Sequence, residues 1–136
     1  MKGIFKLTII AAVLAGILTT FAIAADITPT IKITHSAKWG PGGEGPMDSI
    51  SGTVNAAPAG AKVVVFAYAG GGYWIQPWGN AYLTDISRSS WVTSTHLGEK
   101  YAALLVRPSF RSEGQLGELP AVGGDVLAKD EVPGRN

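Results

Sequence analysis

Beyond residue 29 the apolar positions recur with a period of two, and no window of a dozen residues holds a helical period. "TIKITHS", Thr30 to Ser36, puts Ile31 and Ile33 on one face and Lys32 and Thr34 on the other, which predicts a half-buried strand. The next segment, "AKWGPGGEGPMDS", carries four glycines and two prolines and predicts a loop. "SISGTVN" aligns Ile50, Gly52 and Val54 on one side, and "AAPAGA" is a turn around Pro58. "KVVVFAYA", Lys62 to Ala69, is apolar on both faces and predicts a central strand covered on both sides. "AYLTDI" and "SWVTSTH" read as short strands joined by a hairpin at Ser87–Ser90, and "YAALLVRP" as a last strong strand ended by Pro108. The glycine-rich tail from Ser109 offers one apolar piece, Val126 to Ala128, for an edge strand, and its final residues read as mobile. Six to eight short strands at this spacing predict an all-β chain folded as an antiparallel β-sandwich, immunoglobulin-like or transthyretin-like, with a small barrel as the alternative.

The first 25 residues break the pattern. Lys2 and Lys6 precede an uncharged apolar run from Leu7, and Ala22, Ala24 and Ala25 stand just before Asp26. That layout predicts a secretory signal helix over residues 1–24, cleaved near Ala24 or Ala25, and a secreted or periplasmic product. An uncleaved membrane anchor competes, since the run of 19 residues approaches the roughly 20 that span a bilayer. The absence of Cys excludes a lipid-anchored precursor and any disulfide. Residues 25–136 suffice for one domain with one core. Without the leader, 9 basic residues face 10 acidic ones, so nothing electrostatic favours nucleic acid or an anionic membrane.

Catalytic chemistry finds no pattern to stand on. His35 and His96 are 61 positions apart and belong to no metal-ligand spacing, so both read as structural or exposed. There is no Gly-x-Ser-x-Gly elbow for a nucleophile, and the glycine triplet at 70–72 lacks the Lys-Ser/Thr of a phosphate loop. The acids lie mostly in turns, where solvated charge is the simplest reading; Glu44 and Asp48 in "GGEGPMDS" are the pair that a calcium ion would use. The expectation is a noncatalytic protein without metal or cofactor.

The remaining chemistry is aromatic. In "AGGGYWIQPWGN", an extended Tyr73–Trp78 would place Trp74, Gln76 and Trp78 on one side and Tyr73, Ile75 and Pro77 on the other. The two indoles would then stand roughly 13 Å apart with the Gln76 amide between them, a grip suited to a sugar chain. Pro77 lacks an N–H and points to an edge or loop, where that face would be open. Core packing competes for Trp74 and Trp78, because a buried Trp is an efficient core for a domain this small. Trp91, inside an alternating run, reads as core, and Trp39, beside the Gly/Pro loop, as a cap on the end of the sandwich.

Ile50 to Pro108 resembles a family of secreted bacterial β-sandwich modules found beside glycoside hydrolases and other polysaccharide-active enzymes. The residues that carry the likeness are "ISGTV" at 50–54, "VVVFAYAGGGYWIQPW" at 63–78, "LTDI" at 83–86, Trp91, "THLG" at 95–98 and "YAALLVRPSF" at 101–110. Two positions depart from the family pattern. Arg88-Ser89-Ser90 stands where Asp-Gly-Ser is usual, and Phe110 where Tyr is usual. The resemblance implies an accessory, noncatalytic module and assigns no ligand. Together the readings lead to a carbohydrate-binding module, taking a polysaccharide or cell-surface glycan through Trp74, Gln76 and Trp78, helped by Tyr73 and Tyr82. The alternative is a structural or protein-interaction module working through a sheet edge or apolar patch.

Overall fold

The computed structural model describes residues 27–79 and 81–136, with Gly16 alone ahead of them. The expected leader, its cleavage near Ala24 or Ala25 and its signal helix lie outside the described residues. The eight strands are β1 (Thr30–His35), β2 (Met47–Asn55), β3 (Lys62–Ala69), β4 (Gly72–Gln76), β5 (Ser90–His96), β6 (Lys100–Val106), β7 (Gln115–Leu116) and β8 (Val126–Pro133). They form two antiparallel sheets, one ordered β1-β2-β5 and the other β7-β4-β3-β6-β8. No helix among the described residues is long and apolar enough to cross a membrane.

Strand period explains two cores. On β3, Val63, Val65 and Ala67 face the smaller sheet, where they meet Ile31, Ile50, Val54 and Trp91; Tyr101, Ala103 and Leu105 of β6 join them. The alternate residues, Val64, Phe66, Ala102, Leu104 and Val106, face the other way and pack with Tyr73, Ile75 and Phe110. Tyr82, Leu83 and Leu119 of the long connections, with Leu116 of β7, close over that second face. A central strand apolar on both sides, as Lys62–Ala69 is, requires such a third layer.

Local chemistry sets the boundaries. The β3–β4 hairpin turns on Gly70 and Gly71, both at positive φ, the conformation demanded by a two-residue turn that follows the sheet twist. A similar turn closes at Ser87–Ser90 through Arg88 and Ser89, again at positive φ. Gly52 lets two strands and an indole meet: a Cβ there would stand 1.8 Å from the Lys32 carbonyl oxygen and 2.7 Å from Trp91 Cζ2.

Several expectations need correction. "AYLTDI" is not a strand; only Thr84 bridges to Val63, because the segment is drawn across the outer core by Tyr82 and Leu83. The loop after β1 is shorter than expected, since β2 begins at Met47 where it pairs with His96. The tail supplies a full eight-residue strand paired along β6, running past the apolar Val126–Ala128 through Lys129, Asp130 and Glu131, which an edge strand with one wet face tolerates. Its end is tied down rather than loose: Arg135 N–H donates to Ala37 O, Trp39 N–H to Arg135 O, and the Arg135 guanidinium reaches Ser36 O and Asp48. Trp39 lies half outside, 52% exposed, and fills no core.

Asp48 is the anchor of that strap. Its carboxylate accepts the Lys38 N–H at 2.9 Å and Arg135 Nη2 at 3.0 Å, and chiefly the Lys38 bond holds its pKa below the ordinary value of 3.8. A carboxyl depressed in the folded state contributes stability above its unfolded value and loses that contribution as pH falls through the folded value. Asp48→Asn is therefore expected to flatten the loss of stability on acidification below about pH 4, measured by urea melts across pH 2–6. An unchanged slope would show that the strap carries no charge-dependent stability.

Candidate functional site

β5 ends the smaller sheet, β4 lies one strand in from the edge of the larger one, and the two meet where Gln76 of β4 reaches His96 of β5. Trp74 and Gln76 sit on the inner face of β4, paired across β3 with Ala67 and Val65. Strand β4 stops at Gln76, and the following Gln76–Pro77 peptide is cis. Trp78 lies over Trp74, with ring centroids 5.7 Å apart and planes 7° from parallel.

This overturns the expected spacing. The run is not extended through Trp78, so the indoles form one stacked pair instead of two platforms roughly 13 Å apart. Trp74 is half-buried and its Nε1 donates to Ala69 O at 3.1 Å. Trp78 is 55% exposed and presents its outer side to solvent.

Gln76 does not lie open between the rings. It is 1% exposed, and its Oε1 accepts both the His96 backbone N–H at 2.9 Å and His96 Nδ1 at 3.0 Å. The amide orientation follows from chemistry: a backbone N–H only donates, so the atom facing it must be Oε1, and Nδ1 beside the same oxygen must carry a proton. Gln76 thus ties the inner face of β4 to the end of β5, which would otherwise leave an unpaired edge N–H. It also sets the imidazole edge-on to Trp78, 6.3 Å between centroids.

A hollow of about 260 Å³ opens beneath the indoles. Pro41, Gly42, Gly43 and Glu44 wall it from the β1–β2 loop, Ala67, Ala69 and Gly70 form its floor, and His96 and Leu97 close the end. A second hollow, about 370 Å³, lies on the other flank of the same ring pair, lined by Tyr82, Ser112, Gly114 and Gln115 with Ile75 and Gly79. Trp74 and Trp78 wall both.

The five residues expected at the site therefore separate. Trp74, Trp78 and Tyr82 gather around the two hollows. Gln76 also borders the first, with its amide spent on His96. Tyr73 points to the opposite face of β4, where its hydroxyl donates to Glu131 at 2.6 Å; burial, then this bond, pushes its pKa up. His96 and Glu44 were not expected there. No spacing in the sequence could reveal His96, since it reaches the site through a partner 20 residues away.

Glu44 and Asp48 do not act together. Glu44 lines the first hollow, whereas Asp48 is engaged by Lys38 and Arg135. Among the described residues, no three His, Asp or Glu side chains gather as a metal group would need. No protein-family model, curated protein or solved structure matches the chain.

Proposed function

We propose that this chain is an exported, noncatalytic carbohydrate-binding module, built as an immunoglobulin-like sandwich and related in role to the secreted modules that accompany polysaccharide-active enzymes. One observation carries the reading: a large aromatic ring, Trp78, is held open to solvent by parallel stacking on a half-buried Trp74, between two hollows. With Trp78 55% exposed, part of the roughly 1.5–3 kcal/mol that full burial of a large apolar side chain contributes is forgone, and a ligand stacking on the ring would recover it. Sugar rings fit such a surface because they have apolar faces and hydroxyl rims, and Glu44, His96, Ser112 and Gln115 line the flanks with polar groups.

The strand order supports the immunoglobulin-like form. β1-β2-β5 facing β4-β3-β6 matches strands A-B-E against C′-C-F, with β8 as G. At the start of the F-equivalent strand, the buried Tyr101 hydroxyl accepts the Gly98 N–H at 2.8 Å, three residues upstream, in the manner of a tyrosine corner. The same hydroxyl donates to Lys38 O.

Trp78→Ala is expected to lower retention on an insoluble or gel-embedded polysaccharide at least tenfold, about 1.4 kcal/mol, while leaving the thermal midpoint within a few degrees. Affinity electrophoresis with calorimetry reads both. Equal retention by the variant would remove the aromatic site from consideration. A second reading rests on the edge of β5, which among the described residues has only β2 as a paired strand and carries Val92 at 64% exposed. Concentration-dependent assembly by light scattering, without glycan retention, would favour that protein-interaction module.

A further inference from the structure

The stacked pair is a ridge with a hollow on either side, and the two hollows differ. The first is walled by the glycine loop and Glu44, the second by Tyr82 and Gln115. From this we infer that the ligand is a neutral glycan chain recognised along its length, lying across Trp78 with sugar units in both hollows, rather than a monosaccharide or a charged polymer. The inference rests on the carbohydrate reading and narrows it.

Ring geometry supplies the first argument. The mutually stacked faces of Trp74 and Trp78 are spent on each other, so the pair offers one open indole face, enough for one sugar ring. Any further contact must come from the flanks. Size supplies the second. Pockets that hold a small ligand run from roughly 300 Å³ upward. At about 260 Å³ and 370 Å³, each hollow stands near that floor, and only an occupant reaching across the ridge engages both.

Charge selects the class. Glu44 is the one charged side chain among the described residues lining either hollow. No Lys or Arg lines either hollow to neutralise a uronic or sulfated polymer, whose anions would meet the exposed Glu44 carboxylate instead of a cation. Hydroxyl-rich neutral units suit the groups present: on one flank Tyr82 and Gln115 can donate and accept and Ser112, whose hydrogen goes to Glu113 O, can accept, and the Glu44 carboxylate accepts on the other.

The test measures affinity for neutral β-glucan, xylan and mannan oligomers of one to six sugars, with polygalacturonate as the acidic comparator, on the parent, Tyr82→Ala, Gln115→Ala and Trp78→Ala proteins. Affinity for at least one neutral series should rise tenfold or more between one and four sugars. Tyr82→Ala and Gln115→Ala should weaken the longer members severalfold and leave the shortest unchanged. Length-independent binding, an equal loss at every length, or preference for polygalacturonate overturns the chain inference. In those cases a loss on Trp78→Ala still upholds the carbohydrate reading. If no oligomer or polymer binds the parent, both fall. Circular dichroism melts of each variant separate lost contacts from lost fold.

Discussion

Gly52→Ala is expected to destabilise the domain by about 3 kcal/mol or more, the upper end of overpacking costs and a large share of the roughly 5–15 kcal/mol that holds a domain folded. The added methyl would sit 1.8 Å from the Lys32 carbonyl oxygen, and that atom is backbone within the β1–β2 ladder. It cannot rotate aside as a side-chain tip could. The second clash, 2.7 Å to Trp91 Cζ2, sets the methyl against a ring only 3% exposed and packed between the sheets. Relief would require parting β1 from β2 or expelling the indole, and losing a buried Trp alone costs about 3–5 kcal/mol. The thermal midpoint should fall by on the order of 12 °C or more, taking ~4 °C per kcal/mol for a domain near 100 residues. Gly45→Ala is the control, because a Cβ there meets nothing within 4 Å. A Gly52→Ala protein melting within a few degrees of the parent would show that the close approach of β1, β2 and Trp91 is wrong.

Gln76→Leu should cost about 2–3 kcal/mol despite conserving volume and apolar burial. Leucine removes the oxygen that accepts two bonds and leaves the His96 N–H and Nδ1–H facing an apolar group, at about 1–3 kcal/mol for each donor that water fails to reach. The same substitution frees the imidazole that leans on Trp78, so binding should weaken without loss of either indole. Two-dimensional ¹⁵N spectra of the His side chains provide an independent check. The parent should show His96 with its proton on Nδ1, and the variant should lose that preference. Unchanged stability together with an unchanged tautomer would remove Gln76 as the link between β4 and β5.

Both residues show where reading the chain succeeds and where it stops. Gly52 is legible as a member of the Ile50–Val54 face, because alternation is a local property: side chains two apart must share a side of the sheet. The indole that needs its missing Cβ arrives from β5, 39 positions on, and no local pattern announces it. Gln76 is legible as sharing a face with Trp74, which it does. Its partner was not legible, since the open amide and the satisfied amide have the same sequence. The extended spacing of Trp74 and Trp78 failed for a related reason. Pro77 marks the end of the pairing, but the direction the chain then takes depends on what Trp78 finds to stack against.

Periodicity and composition by themselves determined that this chain is built from strands, that Lys62–Ala69 is central, that Tyr101–Val106 is a strong strand, that Trp91 is core, and that no cysteine braces the fold. These follow from short-range sterics and from the need to bury apolar faces, which every residue expresses in its immediate surroundings. Tertiary structure alone decided that the edge strand at Val126–Ala128 runs on through its charged residues to Pro133, that Arg135 is tied to Ser36 and Asp48, and that Gln76 of β4 reaches His96 of β5. It also decided that Trp78 stays in water on Trp74 and that the Tyr73 hydroxyl finds Glu131 of β8. Those outcomes depend on which distant surfaces meet, and the free energy that selects them is shared between partners tens of residues apart.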